Sequence, residues 1–200
     1  MGEAAGDEAR DDARTAGTAR RAAALPPQER RAAIIDAVRP LLGQHGAAIT
    51  TKQIACAAGI AEGTIFRVFA DKDELIDATL EAALDPEPFE RALAQIDDTQ
   101  AFGDQLIAAT EIMQRRTVEV WTLLSSVAPR PDRPARPIVV SPALAAIYAA
   151  HPDEIRVDPF EAAHFHRALT LALTHPMMSA APATPAAIVT TLLHGIGTSP

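Results

Sequence analysis

The 200-residue sequence predicts an all-α fold, and three observations carry that expectation. Two helix-opening signatures, Thr50 with Gln53 and Asp71 with Glu74, flank a turn at Gly59. In each, the first side chain can accept from the backbone N–H of the third helical residue, and the later side chain can reach back. Apolar residues also recur at three- and four-residue spacing through 34–42 and again through 106–124, the period of a helix face packed on a core.

Taken in order, residues 1–24 are rich in Ala, Gly, Asp, Glu and Arg without apolar periodicity and read as a disordered arm ending near Arg20 and Arg21. A first helix is expected over 27–44, with Pro27 in its opening turn and Ile34, Ile35, Val38, Leu41 and Leu42 facing inward. Pro40 should kink it, since the ring removes a donor and crowds the preceding turn. The second helix starts at Thr50 and buries Ile54, Ala55 and Ala58; Gly59 ends it where a left-handed residue is needed. Ile60 packs inward, and a third helix is expected over 62–69 with Ile65, Val68 and Phe69 at helical spacing. The fourth, opened by Asp71, carries Leu75, Ile76, Thr79, Leu80 and Ala83.

Beyond 84, Pro86 and Pro88 break the chain and open a short helix bearing Phe89, Leu93 and Ile96. A long helix follows over 101–126, with Leu106, Thr110, Met113, Thr117, Val120, Trp121 and Leu124 on one face. Four prolines and three arginines over 129–137 make a stiff connector. Helices over 142–150 and 159–173, a loop over 176–185 and a last helix over 184–194 closed by Gly195 complete the chain.

The small residues Ala55, Ala58 and Gly59 let two short helices cross closely, as a helix-turn-helix requires if its second helix is to enter a major groove. The spacing resembles the TetR (tetracycline-repressor-like) family of bacterial transcriptional regulators. The resemblance covers roughly 28–84 and rests on Thr50, Ile54-Ala55, Ala58-Gly59-Ile60, Gly63-Thr64-Ile65-Phe66, Phe69, Asp71-Lys72 and Leu75. Phe66 departs from the tyrosine usual there, which costs a phosphate hydrogen bond, and Val68 departs from a common histidine. The resemblance implies an N-terminal three-helix helix-turn-helix DNA-binding domain at 25–84 and a C-terminal helical effector-binding and dimerisation domain at 85–200.

It also implies roles for individual residues. Thr50, Lys52, Glu62, Gly63, Thr64, Phe66, Arg67 and Lys72 are the expected DNA-binding residues. Arg67 is the candidate for a bidentate guanine contact, Glu62 for a cytosine amine, Thr64 and Lys72 for phosphates, and Phe66 for sugar or a thymine methyl. Arg20 and Arg21 reach a phosphate or minor groove, or belong to a solvated tail. The last two helices are expected to pair with their copies through Phe160, Arg167, Leu171, Ile188, Val189 and Leu192; the alternative is that they complete the monomer's core. A small hydrophobic effector is expected near Phe102, Met113, Thr117, Trp121 and His164, residues that also suit ordinary core. The expected partners are palindromic double-stranded DNA, a second copy and that effector.

The charge balance bears on this reading. The net charge is −8, yet residues 20–80 hold eight cations against seven acids, while 81–200 hold eight against fourteen. Screening within about 8–10 Å lets a local basic face act on an acidic body. The lone Cys56 excludes an intramolecular disulfide and is expected to be buried, with a redox sensor as the alternative. His164 and His166 lie about 200° apart on a helix and cannot chelate one ion, so no metal or cofactor is expected. No run of about 18 apolar residues and no secretion signal is present, so a cytoplasmic location is expected. No phosphate-binding loop, dinucleotide-binding glycine pattern, nucleophile elbow or zinc-protease helix argues for an enzyme. A rival within the fold is a sensor or protein-interaction module whose DNA reader has decayed.

Overall fold

The computed structural model describes residues 26–127 and 141–196, and every described element is helical. The expected arm with Arg20 and Arg21 and the connector at 129–137 lie outside the described residues. The order is α1 (Pro27–His45), a 3₁₀ turn (Gly46–Ala48), α2 (Thr51–Ala58), α3 (Glu62–Ile65), α4 (Lys72–Leu84), α5 (Glu87–Ala94) and α6 (Phe102–Ser125). Then come α7 (Pro142–Ala149), a 3₁₀ turn (Pro152–Glu154), α8 (Pro159–Thr174) and α9 (Pro185–Ile196). No described helix is long and apolar enough to cross a membrane.

Two apolar cores organise these helices. The first gathers Ile34, Val38 and Leu42 of α1, Ile54 of α2, Ile65 of α3 and Leu75, Ile76 and Leu80 of α4, closed by Phe69. Arg31 locks it from outside: its guanidinium lies 4.3 Å from the Phe69 ring centroid and donates to the Val68 carbonyl and to Glu74. The second core joins α5 to α9 around Phe89, Leu93, Phe102, Leu106, Met113, Leu144 and Tyr148. Ala145, Ala162 and Ala163 are buried where α7 meets α8, and their short side chains permit close approach.

Helix α6 belongs to both cores. Met113 serves the second, whereas Leu123 sits in the first. The seam with α1 is close: Arg39 pairs with Glu119 at 3.4 Å, and a Cβ on Gly43 would meet Thr122 at 3.4 Å. Gly46, at φ 57° and ψ −151°, ends α1 where a Cβ would run into the Ser126 carbonyl oxygen. Glycine is required there by conformation and space together.

Pro40 lies inside α1, which continues past it to His45. Several expectations are corrected. The regular part of α3 stops at Ile65, four residues rather than eight, and Arg67 and Val68 donate to carbonyls three residues back in 3₁₀ fashion. Gly63 and the β-branched Thr64, Ile65 and Val68 are weak helix formers, which explains the tightened turns. Asp71 caps α4 as expected, but Glu74 reaches the Ala70 N–H at 2.6 Å rather than that of Asp71. Cys56 is exposed, because α2 turns Ile54 and Ala55 inward and a residue two places past Ile54 faces away. Gly195 does not end α9. The helix continues to Ile196, which is buried and whose carbonyl accepts from Arg156 N–H at 3.1 Å.

Candidate nucleic-acid interface and effector cavity

The reader is built on the capping box of α2. Thr50 Oγ1 accepts from Gln53 N–H at 3.2 Å, and Gln53 Oε1 accepts from Thr50 N–H at 2.9 Å. Thr50 is thereby committed to its helix. Gly59 takes φ 64° as a left-handed cap, and Ile60 N–H donates to the Ala55 carbonyl at 3.0 Å. The turn fixes α3 with Ile65 buried beneath it and Glu62, Gly63, Phe66 and Arg67 exposed.

The sequence-expected DNA residues fall into two groups. Lys52, Gly63, Phe66 and Arg67 are exposed, and Thr64 is half-buried beside them. Phe66 is 50% exposed, so the described residues leave half of its surface uncovered. A Cβ on Gly63 would meet nothing within 4 Å, so packing does not require glycine there. Glu62 and Lys72 also tie the reader together. Glu62 accepts from the Thr51 hydroxyl, tying α3 to α2. Lys72 Nζ donates to the Ala47 carbonyl at 2.9 Å and the Ile49 carbonyl at 3.4 Å, holding the 3₁₀ turn against the start of α4.

The candidate effector residues divide as well. A cavity of about 320 Å³ lies among α4, α5, α6 and α8, and Met113, Thr117 and Trp121 line it. Phe102 does not: it is buried against Tyr148, with ring centroids 5.7 Å apart, and against His151. His164 is exposed on the outside of α8. Arg116, Arg167, Thr170 and His175 line the cavity and were not placed there by sequence. Arg116 follows Met113 by three residues and precedes Val120 by four, so the helical period carries its position; its charge argued for solvent.

Both cavity arginines are half-buried, and burial lowers their pKa values from the usual arginine value. Neighbouring carboxylates oppose that shift, Glu119, Asp85 and Glu90 for Arg116 and Glu90 for Arg167. Beside the cavity, Thr110, Tyr148 and His166 form a buried chain. Thr110 Oγ1 donates to the Leu106 carbonyl at 2.7 Å and therefore accepts from His166 Nε2 at 2.7 Å. His166 Nδ1 then accepts from the Tyr148 hydroxyl at 3.0 Å. Desolvation lowers the His166 pKa to about 3, so the ring is neutral, and raises that of Tyr148.

The expected pairing face is split by the fold. Phe160 is 56% exposed in the first turn of α8 and Phe165, about 140° further round the helix, is 40% exposed, whereas Arg167 and Leu171 turn toward the cavity. Ile188, Val189 and Leu192 are buried within the chain's own structure, so they are corrected from surface to core. The apolar side of α9 is already used to cover α6 and α8, and its outward side carries Ala187, Thr190, Thr191 and His194.

Comparison with known proteins supports the resemblance. Residues 34–79 match the family model described as bacterial regulatory proteins, tetR family. A TetR transcriptional regulator from Streptomyces coelicolor superposes with a TM-score of 0.56 at 19% identity, covering 84% of this chain and 99% of that one. A TetR-family transcriptional regulator from Haemophilus influenzae gives 0.52 at 15% identity, with 86% and 98% covered. The TetR family protein CprB from S. coelicolor A3(2) gives 0.52 at 20% identity, with 88% and 92% covered. At these identities the likeness is one of fold.

Proposed function

We propose that this chain, identified with the tetR family of bacterial regulatory proteins through residues 34–79, is a homodimeric repressor that leaves a palindromic operator when a small effector fills the cavity. The observation that carries the DNA reading is the exposed set on and beside α3. Lys52, Gly63, Thr64, Phe66 and Arg67 present donors, an open backbone and an apolar ring on the side away from the buried Ile65 and Phe69. Residues 25–84 act as the reader and 85–200 as the effector-binding and dimerisation unit, with Leu123 of α6 lent to the reader's core.

Arg67 is the residue assigned to base readout, where a bidentate guanine contact discriminates by about 1–3 kcal/mol. Lys52 and Thr64 serve phosphates, and Phe66 presses on sugar or a thymine methyl. Thr50, Glu62 and Lys72 shape the reader through their internal hydrogen bonds. Release requires that the effector bind the operator-free arrangement better than the bound one, and it shifts the population by that difference alone. Helix α6 supports such coupling, since Trp121 and Leu124 line the cavity while the neighbouring Leu123 packs with the reader.

A second reading, the sensor module with a decayed reader, draws on the engaged Lys72 and Glu62 and on the missing tyrosine hydroxyl at Phe66. Selection from a random duplex library at about 0.15 M salt decides between them. An enriched palindrome supports the regulator. A folded dimer that enriches nothing refutes it and favours the sensor.

A further inference from the structure

We infer that the cavity is built for an amphipathic organic anion, a carboxylic acid carrying an apolar acyl or aryl body. The inference rests on the effector reading above and narrows its ligand class. Arg116 and Arg167 converge on one wall, their guanidinium carbons 5.2 and 5.4 Å from the centroid of the same Phe89 ring. Both belong to the cavity lining, and among the described residues no Asp or Glu does. The nearby carboxylates attract the two arginines from outside the lining, and each also holds a further partner. Glu90 accepts from Ser141 Oγ at 2.9 Å and Ala143 N–H at 3.0 Å, Asp85 accepts from Glu87 N–H at 3.0 Å, and Glu119 pairs with Arg39.

Arg116 spends one donor on the Asp85 carbonyl at 2.8 Å, and a guanidinium has five. Two half-buried cations at one wall suit a carboxylate, which can accept parallel N–H bonds from each planar fork. A third group supports this. Thr170 lines the cavity with 1% of its surface exposed, and its Oγ1 has no hydrogen-bond partner. Buried hydroxyls are normally satisfied, so an acceptor entering the cavity completes the site. The rest of the lining, including Met113, Val120, Trp121 and Leu124, is apolar enough for a hydrocarbon or aromatic body.

Trp121 is the chain's single tryptophan, so its fluorescence reports the cavity directly. The full chain is titrated with decanoate and with 4-phenylbutanoate, each against its primary amide. The acids should bind saturably and at least about tenfold more tightly than the amides, because the amide keeps the body and loses the charge. Arg116→Gln and Arg167→Gln should each erase most of that preference while leaving amide binding in place. Thr170→Val removes an unmet hydroxyl, so it should leave the thermal midpoint unchanged or raised while weakening acid binding about two- to tenfold.

Equal affinity for acid and amide, no response to either pair in a folded chain, or a preference that survives loss of both arginines overturns the inference. The titration needs no DNA, which separates its failure from that of the regulator reading. Operator enrichment without acid preference removes the ligand class alone, and acid preference without enrichment leaves the ligand class standing.

Discussion

At the scale of residues, Gly63 separates what the chain needs from what a partner needs. Nothing lies within 4 Å of a Cβ there, and helix propensity favours alanine over glycine by about 1 kcal/mol. Gly63→Ala should therefore preserve or slightly raise stability in urea unfolding while weakening operator binding by tenfold or more; unchanged DNA affinity would place Gly63 outside the interface. His166 supplies a pH-dependent prediction. Its folded pKa, about 3, lies below the ordinary value of 6.5, so the unfolded chain takes up the proton first as pH falls. Its stabilising contribution is complete above about pH 6.5 and is lost as pH falls toward 3, at a limiting slope of about 1.4 kcal/mol per unit. Denaturant midpoints measured from pH 7.5 to 4.5 should fall less steeply in His166→Gln than in the parent, and parallel slopes would assign the acid sensitivity elsewhere. Anchor residues were legible in the sequence because caps and turns are local: Thr50, Gly59 and Asp71 do what their types dictate. The internal bonds of Glu62 and Lys72 were not, since residue type does not name the hydroxyl or carbonyl of its own chain that a charge on a reader also holds.

At the scale of elements, the joint between α1 and α6 has a measurable signature. Gly46 and Gly59 both take positive φ, but a Cβ on Gly59 meets open space whereas one on Gly46 meets the Ser126 carbonyl. Gly59→Ala should cost about 1 kcal/mol, the conformational penalty alone, and Gly46→Ala about 2–4 kcal/mol. Thermal unfolding tests the order, with a loss of about 2–4 °C expected per kcal/mol for a chain of this size. Equal midpoints for the two variants would mean that α6 yields at the joint. Helix identities and most boundaries followed from apolar period and proline placement, but α3 and α9 show the limits. The end of α3 depends on how β-branched residues fit above Ile65, and α9 passes Gly195 because Ile196 finds a buried seat and its carbonyl a donor from Arg156. Those are tertiary circumstances that local propensity does not encode.

At the scale of the whole molecule, the second core absorbed residues that sequence reading assigned to a partner copy. Periodicity marks a helix face as apolar but does not say whether the same chain or another covers it. Ile188, Val189 and Leu192 are covered within the chain, and the apolar surface left on α8 is Phe160 with Phe165. The two exposed rings, about 140° apart round α8 with the exposed Glu161 and His164 between them, are the apolar surface most suited to a second copy seated against the small outward residues Ala187, Thr190 and Thr191 of α9. A two-fold dimer would meet itself there, each copy presenting the same patch. Replacing both rings, Phe160→Asp with Phe165→Asp, should therefore yield a folded monomer by sedimentation equilibrium, since neither ring is needed to fill the core. The same variant should retain decanoate binding in the cavity but lose enrichment of palindromes, because one reader addresses a single half-site and the second lies about 34–36 Å away. A variant that stays dimeric would move the pairing surface off this face of α8; one that turns monomeric yet still selects a full palindrome would mean that the operator itself assembles the two readers.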